Sequence, residues 1–178
     1  DRDDPWAQAT PAVPFVEAIA RAKAPKRVAF TPDLGLARQV DHEVVAICRA
    51  ATARFAGLGA EVGEGSPDLS GSIDAFQTLR ALLMAAVRGE LLPKERERIA
   101  PEIVWNIQKG LDLTAAEILS AERGRHRIYK AVVSFFRDVD ILACPVVALP
   151  PYPVEERFPT QVNGEPLTTY IDWMFLTF

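Results

Sequence analysis

Between Arg27 and Val62 the chain alternates strand and helix signals at a spacing that leaves few folds open. Arg27-Val28-Ala29-Phe30 is a short run of strand formers, and Pro32-Asp33-Leu34-Gly35 interrupts it with turn chemistry. Asp41 stands where a helix cap is needed, and Val40 and Val45 are placed as a hydrophobic staple across the first turn. Val44, Ile47, Cys48, Ala51, Phe55 and Leu58 then recur at helical spacing and form one apolar stripe. Gly57 and Gly59 can end that helix, and Ala60-Glu61-Val62 reads as a second strand. Parallel strands need a crossover of about a dozen residues or more, which this helix supplies. The expected unit is a βαβ crossover packed on a sheet.

The flanking segments add helices faster than strands. Residues 1–14 are polar and proline-rich, with Trp6 expected to dock on the body. Phe15–Lys23 has Phe15, Ile19 and Ala22 at helical spacing and stops before Pro25. After the crossover, Ser66–Ser72 is a loop, and Ile73–Leu92 is a strong helix with Phe76, Leu79, Leu82, Leu83, Ala86 and Val87 on one face. Pro93 is expected to break it. Pro101 suits the first turn of a helix over Glu102–Lys109, with Gly110 just past its end. Thr114 and Glu117 form a capping box for a long helix reaching about Arg137, with Ile118, Ala121, Ile128, Tyr129, Val132, Phe135 and Phe136 inward. Ile141–Val147 is an apolar run that reads as a third strand. Pro150-Pro151 stiffens the loop beyond it, Asn163-Gly164 turns the chain back, and Tyr170–Phe178 begins another helix. The class is α/β and helix-rich. Three strands are too few to cover these helices, so a sheet from elsewhere is expected to complete the core.

Composition narrows the function classes. A chain of 178 residues is long enough for one domain with a substantial core. The net charge of -4 argues against nucleic acid, because phosphate binding needs clustered Lys and Arg. The densest charge run, Lys94-Glu95-Arg96-Glu97-Arg98, mixes signs and reads as a solvated helix face. No apolar run approaches the roughly 20 residues that cross a bilayer, so no membrane partner is expected. Two cysteines make no disulfide framework, and without a visible secretory signal the expected setting is a reducing cytoplasm.

Most candidate chemistry has a plainer reading. Ser70-Gly71-Ser72 could offer a nucleophile and backbone donors, but it directly precedes a helix, and N-capping accounts for both serines. Cys144 could pair with His126 as thiol and base. However, Cys144 lies in an apolar strand, where a free Cys acts as a small hydrophobe. His126 follows Glu122 by four residues, as in a surface pair. No Cys or His spacing suits a metal, and no glycine-rich phosphate motif occurs, so no cofactor is expected. Trp105-Asn106, with Tyr170, Trp173 and Met174, mixes apolar walls with a few polar groups, as a carboxamide pocket would. Plain core packing accounts for the same residues.

An ordered series of short elements also resembles the amidase signature family, downstream of its catalytic serines. The series runs Asp3-Asp4-Pro5-Trp6, Arg27–Phe30 with Asp33-Leu34-Gly35, and Leu58-Gly59-Ala60-Glu61-Val62. It continues through Leu113-Thr114-Ala115-Ala116-Glu117, Asp140-Ile141-Leu142-Ala143-Cys144-Pro145 and Thr169-Tyr170-Ile171-Asp172-Trp173-Met174. The resemblance implies an α/β/α sandwich around a mixed sheet, and hydrolysis of a carboxamide to acid and ammonia by a Ser–Ser–Lys triad. The serine-rich signature stretch has no counterpart in residues 1–178, so no catalytic residue is transferred. Residues 1–178 are then expected to form one incomplete domain, supplying scaffold and pocket wall to the remainder of the same protein. A face left open would pair with that remainder or form a homo-oligomer. By position, Trp105, Asn106, Trp173 and Met174 are the expected substrate-binding residues for a small amide. The related amidase component of glutamyl-tRNA amidotransferase has a substrate-reading arginine at the Trp105-Asn106 helix. This chain does not, which favours an aromatic or other apolar amide. The alternative is a non-catalytic α/β interaction or structural protein derived from an amidase.

Overall fold

The computed structural model describes Ala7, residues 9–36 and residues 39–177. Asp3-Asp4-Pro5-Trp6, with the expected docking of Trp6, and the chain end at Phe178 lie outside the described residues. A short helix α1 (Phe15–Ala20) leads to strand β1 (Arg27–Phe30), helix α2 (His42–Ala53) and strand β2 (Glu61–Glu64). Helices α3 (Ser72–Arg88), α4 (Leu92–Glu95), α5 (Pro101–Leu111) and α6 (Ala115–Phe135) follow, and strand β3 (Ile141–Ala143) returns to the sheet. A small hairpin of β4 (Gln161–Val162) and β5 (Glu165–Pro166) precedes a closing 3-10 turn, Asp172–Thr177.

The βαβ expectation holds. The sheet order is β2-β1-β3 with both pairs parallel, and Val28 stands opposite both Val62 and Ile141. β1 is central, and its Val28, Ala29 and Phe30 are buried because the sheet and the helices cover them. The strand's entry is clipped by Asp140, whose Oδ2 accepts from Lys26 N at 2.7 Å and Arg27 N at 2.9 Å. Those bonds, the one from Arg27 first, hold the Asp140 carboxyl below its ordinary value of 3.8.

Local capping chemistry is realised at two helices. Asp41 Oδ1 accepts from Glu43 N and Val44 N, and Thr114 and Glu117 form the reciprocal capping box. Asn163 and Gly164 take φ values of 51° and 82°, which is the two-residue hairpin geometry that favours an Asn-Gly pair. Asn163 Nδ2 then donates to Val40 O at 3.0 Å, tying the hairpin to the start of α2. A core of Leu34, Val40, Ala148 and Val162 forms there, and Val44, Val45, Leu142, Cys144 and Trp173 pack against it.

Several boundaries differ from the sequence reading. Pro93 does not simply break a helix: it sits in the first turn of α4, where its missing N–H costs nothing. Only Ile141–Ala143 of the third apolar run pairs as strand, because Pro145 cannot extend a ladder. The serines do not cap α3. Gly71, at φ 78°, is the N-cap residue and makes no side-chain bond, while Asp68 Oδ1 accepts from Ser70 N instead. Glu122 pairs with Arg125 at 2.6 Å rather than with His126.

Gly110 is the largest correction. It lies inside α5, not beyond it, and it is buried. A Cβ there would overlap the Ala81 carbonyl oxygen and stand 2.7 Å from the Ala85 Cβ. Only glycine lets α3 and α5 approach so closely. The same economy of side chain appears between α3 and α6, where Ala75, Ala121 and Gly124 meet. The tightest face of α3 is therefore built on alanines. The expected stripe of Phe76, Leu79, Leu82, Leu83 and Ala86 instead lines an open groove of about 730 Å³, shared with Ile128 of α6. Among the described residues no helix is long and apolar enough to cross a membrane.

Two outcomes follow from this packing. Gly110→Ala should destabilise the fold by at least the upper end of the about 1–3 kcal/mol typical of overpacking, read as a lowered urea midpoint with unchanged slope. Because the Asp140 carboxyl titrates below 3.8 when folded, its bonds stabilise fully above that value and are lost as pH falls through the folded value. The melting temperature should drop across acid pH, and Asp140→Asn should flatten that drop in thermal melts taken from about pH 5 to about pH 2.

Candidate functional site

Helices α3 and α5 and the 168–171 segment converge on a cavity of about 330 Å³. α3 contributes Gln77 and Arg80, three residues apart on one face. α5 contributes Pro101, Glu102 and Trp105, because its first turn points at the cavity mouth. Thr168, Thr169, Tyr170 and Ile171 close the third side.

Asp172 shapes that third side. Its carboxylate accepts from Thr168 N at 2.8 Å, Thr168 Oγ1 at 2.6 Å and Thr169 N at 2.9 Å, and from Thr169 Oγ1 as well. Burial pushes the Asp172 carboxyl up, but these bonds outweigh it and hold the group below its ordinary value. The loop is thereby folded so that Tyr170 faces α3 and α5.

The centre of the network is Asn106, which is 1% exposed. Its Oδ1 accepts from Arg80 Nη2 at 2.9 Å. Its Nδ2 donates to Glu102 O at 2.7 Å and to Tyr170 Oη at 2.8 Å. One neutral amide thus joins both helices and the loop, and it can be buried because each of its polar atoms has a partner. Arg80 Nη2 also donates to Gln77 Oε1 at 3.1 Å, and the guanidinium lies 5.3 Å from the Phe76 ring centre and 5.8 Å from that of Tyr170. Arg157 donates to the Glu102 carboxylate at 2.7 Å.

The four residues expected from sequence take different places. Trp105 lines the cavity, is 50% exposed and has the Lys109 ammonium 5.2 Å from its ring centre. Asn106 lies directly behind the wall and positions it. Trp173 stands on the far side of Tyr170: its Nε1 donates to Tyr170 O at 2.9 Å, and its ring meets Tyr152 edge-on at 5.7 Å. Met174 N donates to Ile171 O at 2.8 Å, and neither Trp173 nor Met174 lines this cavity. Arg80 is a wall residue that sequence reasoning misses. Its signal is a single charge placed i+4 from Phe76 on an otherwise apolar helix face.

Among the described residues the cavity lining contains no Ser, Cys, His or Lys; its hydroxyls are those of Thr168, Thr169 and Tyr170, the first two donating to the Asp172 carboxylate. Cys144 gives no help elsewhere: burial, with neighbouring Cys48, pushes its thiol up, away from the reactive thiolate. No group of three or more His, Cys, Asp or Glu suited to a metal occurs among the described residues.

Known proteins share both the sequence pattern and the fold. The family model described as Amidase matches residues 1–178. An acylamidase of Rhodococcus erythropolis is 28% identical, over 98% of this chain and 37% of its own length. Among solved structures, a bacterial aryl acylamidase of the amidase signature family superposes with a TM-score of 0.83 at 22% identity, covering 99% of this chain and 39% of that one. A 6-aminohexanoate cyclic dimer hydrolase, solved with its substrate, gives 0.76 at 18% identity, with 99% and 40% covered. The chain therefore spans about two-fifths of the length of these proteins.

Asn106→Leu should cost about 1–3 kcal/mol in urea unfolding, because it strips partners from Arg80 and Tyr170 inside the fold. Trp105→Ala, at a half-exposed site, should cost clearly less in the same measurement.

Proposed function

The chain belongs to the amidase family, and on that premise we propose that the protein containing it hydrolyses a carboxamide to the carboxylic acid and ammonia. The observation that carries this reading is the family match over the whole of residues 1–178, together with a cavity whose aromatic wall is backed by fixed polar groups. Residues 1–178 supply scaffold and pocket wall in this proposal. The Ser–Ser–Lys chemistry comes from residues outside them. Trp105 contacts the substrate, while Asn106, Trp173 and Met174 set the shape of the wall.

The substrate class that suits Trp105, Pro101, Tyr170 and Ile171 is an aromatic or otherwise apolar amide, since a flat ring gains most from such surfaces. The aryl acylamidase among the structural neighbours lends support to that choice. We take residues 1–178 as one domain that is incomplete alone. The open groove between α3 and α6 supports this, as does the exposure of Leu83 and Val87 at 59% and 67%. Large apolar side chains left in water side by side mark a surface that something covers. The free thiols of Cys48 and Cys144 fit a cytoplasmic setting.

The test is ammonia release from benzamide by the full-length protein, followed in a coupled assay. Hydrolysis is expected, with Trp105→Ala raising KM about tenfold while kcat stays within about threefold, as loss of uniform binding requires. No hydrolysis across a panel of aromatic and aliphatic amides would sink the reading.

A further inference from the structure

Among the described residues Arg80 forms no ion pair. Its guanidinium has five N–H donors and cannot release its proton. Nη2 is occupied by Asn106 Oδ1 and Gln77 Oε1, both neutral acceptors. Nε is buried and without a partner. No described carboxylate lies within 4.0 Å; the one on the cavity wall, Glu102, is held by Arg157 at 2.7 Å. Glu122, which shares the α3–α6 groove with Arg80, is likewise held by Arg125, so the direct contacts of this partly buried cation are neutral dipoles and two ring faces.

We propose that Arg80 is a specificity-determining residue that binds a carboxylate carried by an aromatic ligand in the α3–α5 cavity. This rests on reading that cavity as the amide pocket. The guanidinium is ordered before any ligand arrives, because two hydrogen bonds and the Phe76 and Tyr170 rings hold its plane. A ligand therefore does not lose affinity to arginine ordering. The volume of about 330 Å³ suits one substituted ring, with Trp105 and Tyr170 against its faces. Charge-assisted bonds from arginine to carboxylate are the strong members of their class.

Asn106 acquires a second role on this basis. Its buried amide on α5 holds in place the arginine that α3 delivers. The pocket then favours an aromatic amide bearing an acidic substituent over the plain aromatic amide that it also accepts. The rival occupant of Arg80 is a carboxylate from the protein's own residues beyond those described.

The experiment uses the full-length protein with benzoate and nitrobenzene as probes, isosteric, differing in charge, and neither of them an amide that the protein could consume. Binding is read by calorimetry. Benzoate should bind more tightly than nitrobenzene. Because Arg80→Met also strips a partner from Asn106, the readout is the ratio of the two affinities. Arg80→Met should lower the benzoate-to-nitrobenzene ratio at least about tenfold, and Arg80→Lys should restore part of it. An unchanged ratio in Arg80→Met would overturn the proposal. So would no benzoate binding, or a proportional loss of both probes, which is the signature of an internal pair. If Arg80→Met does not fold, Arg80→Lys and the wild-type preference decide: benzoate favoured over nitrobenzene, and less so in Arg80→Lys, supports the site, while no preference removes it. Benzoate binding through Arg80 without hydrolysis of any amide would end the amidase reading and leave this site standing. Benzamide hydrolysis without charge discrimination between the two probes would do the reverse.

Discussion

The approach of α3 to α5 at Gly110 and Ala81 sets the geometry of everything near the cavity. With no side chain at Gly110, the Ala81 backbone can come into contact with α5. Arg80 is the residue before Ala81, and Asn106 lies one helical turn before Gly110. The backbone contact therefore delivers Arg80 to Asn106 at hydrogen-bond distance. A wider separation, forced by any larger residue, would leave both polar groups without each other and so add a desolvation cost to the overpacking.

From that contact the polar network reaches the last described segment. Asn106 bonds Tyr170, Tyr170 carries its carbonyl to Trp173, and Trp173 packs into the core around Val40, Ala148 and Val162. The same core receives the hairpin through Asn163 and the start of α2 through Asp41, whose N–H donates to Ala148 O at 2.7 Å. The cavity wall is thus coupled to the sheet side of the molecule by short-range contacts. The sheet side is itself fastened at Asp140, which joins the entrances of β1 and β3. Precision at the cavity wall requires such backing, because a side chain held only by solvent samples many rotamers.

Elements defined by neighbours along the chain are legible from residue types and their spacing. The Asp41 cap, the Thr114–Glu117 box, the Asn163-Gly164 turn and the βαβ order all depend on residues within a few positions of one another, or on periodicity. Trp105 is legible as a wall residue because a large aromatic beside an amide is an unusual pair. Arg80 is not, because its importance comes from Asn106, Tyr170 and Phe76, and two of those lie on other elements. The difference at Gly110 has the same origin. Gly after Lys109 reads as a helix stop, and only the opposite helix shows why the position must be empty of side chain.

By itself the sequence determined the α/β class, the parallel crossover and the family, since these are written in local propensity, capping and an ordered series of short elements. Tertiary structure alone decided which face of α3 is core and which is open, and which residues share the cavity. The physical reason is that burial and pairing are properties of two surfaces brought together. Phe76, Leu79 and Leu83 are as apolar as any core stripe, yet alanines at Ala75 and Ala81 permit the closer approach and take the buried face.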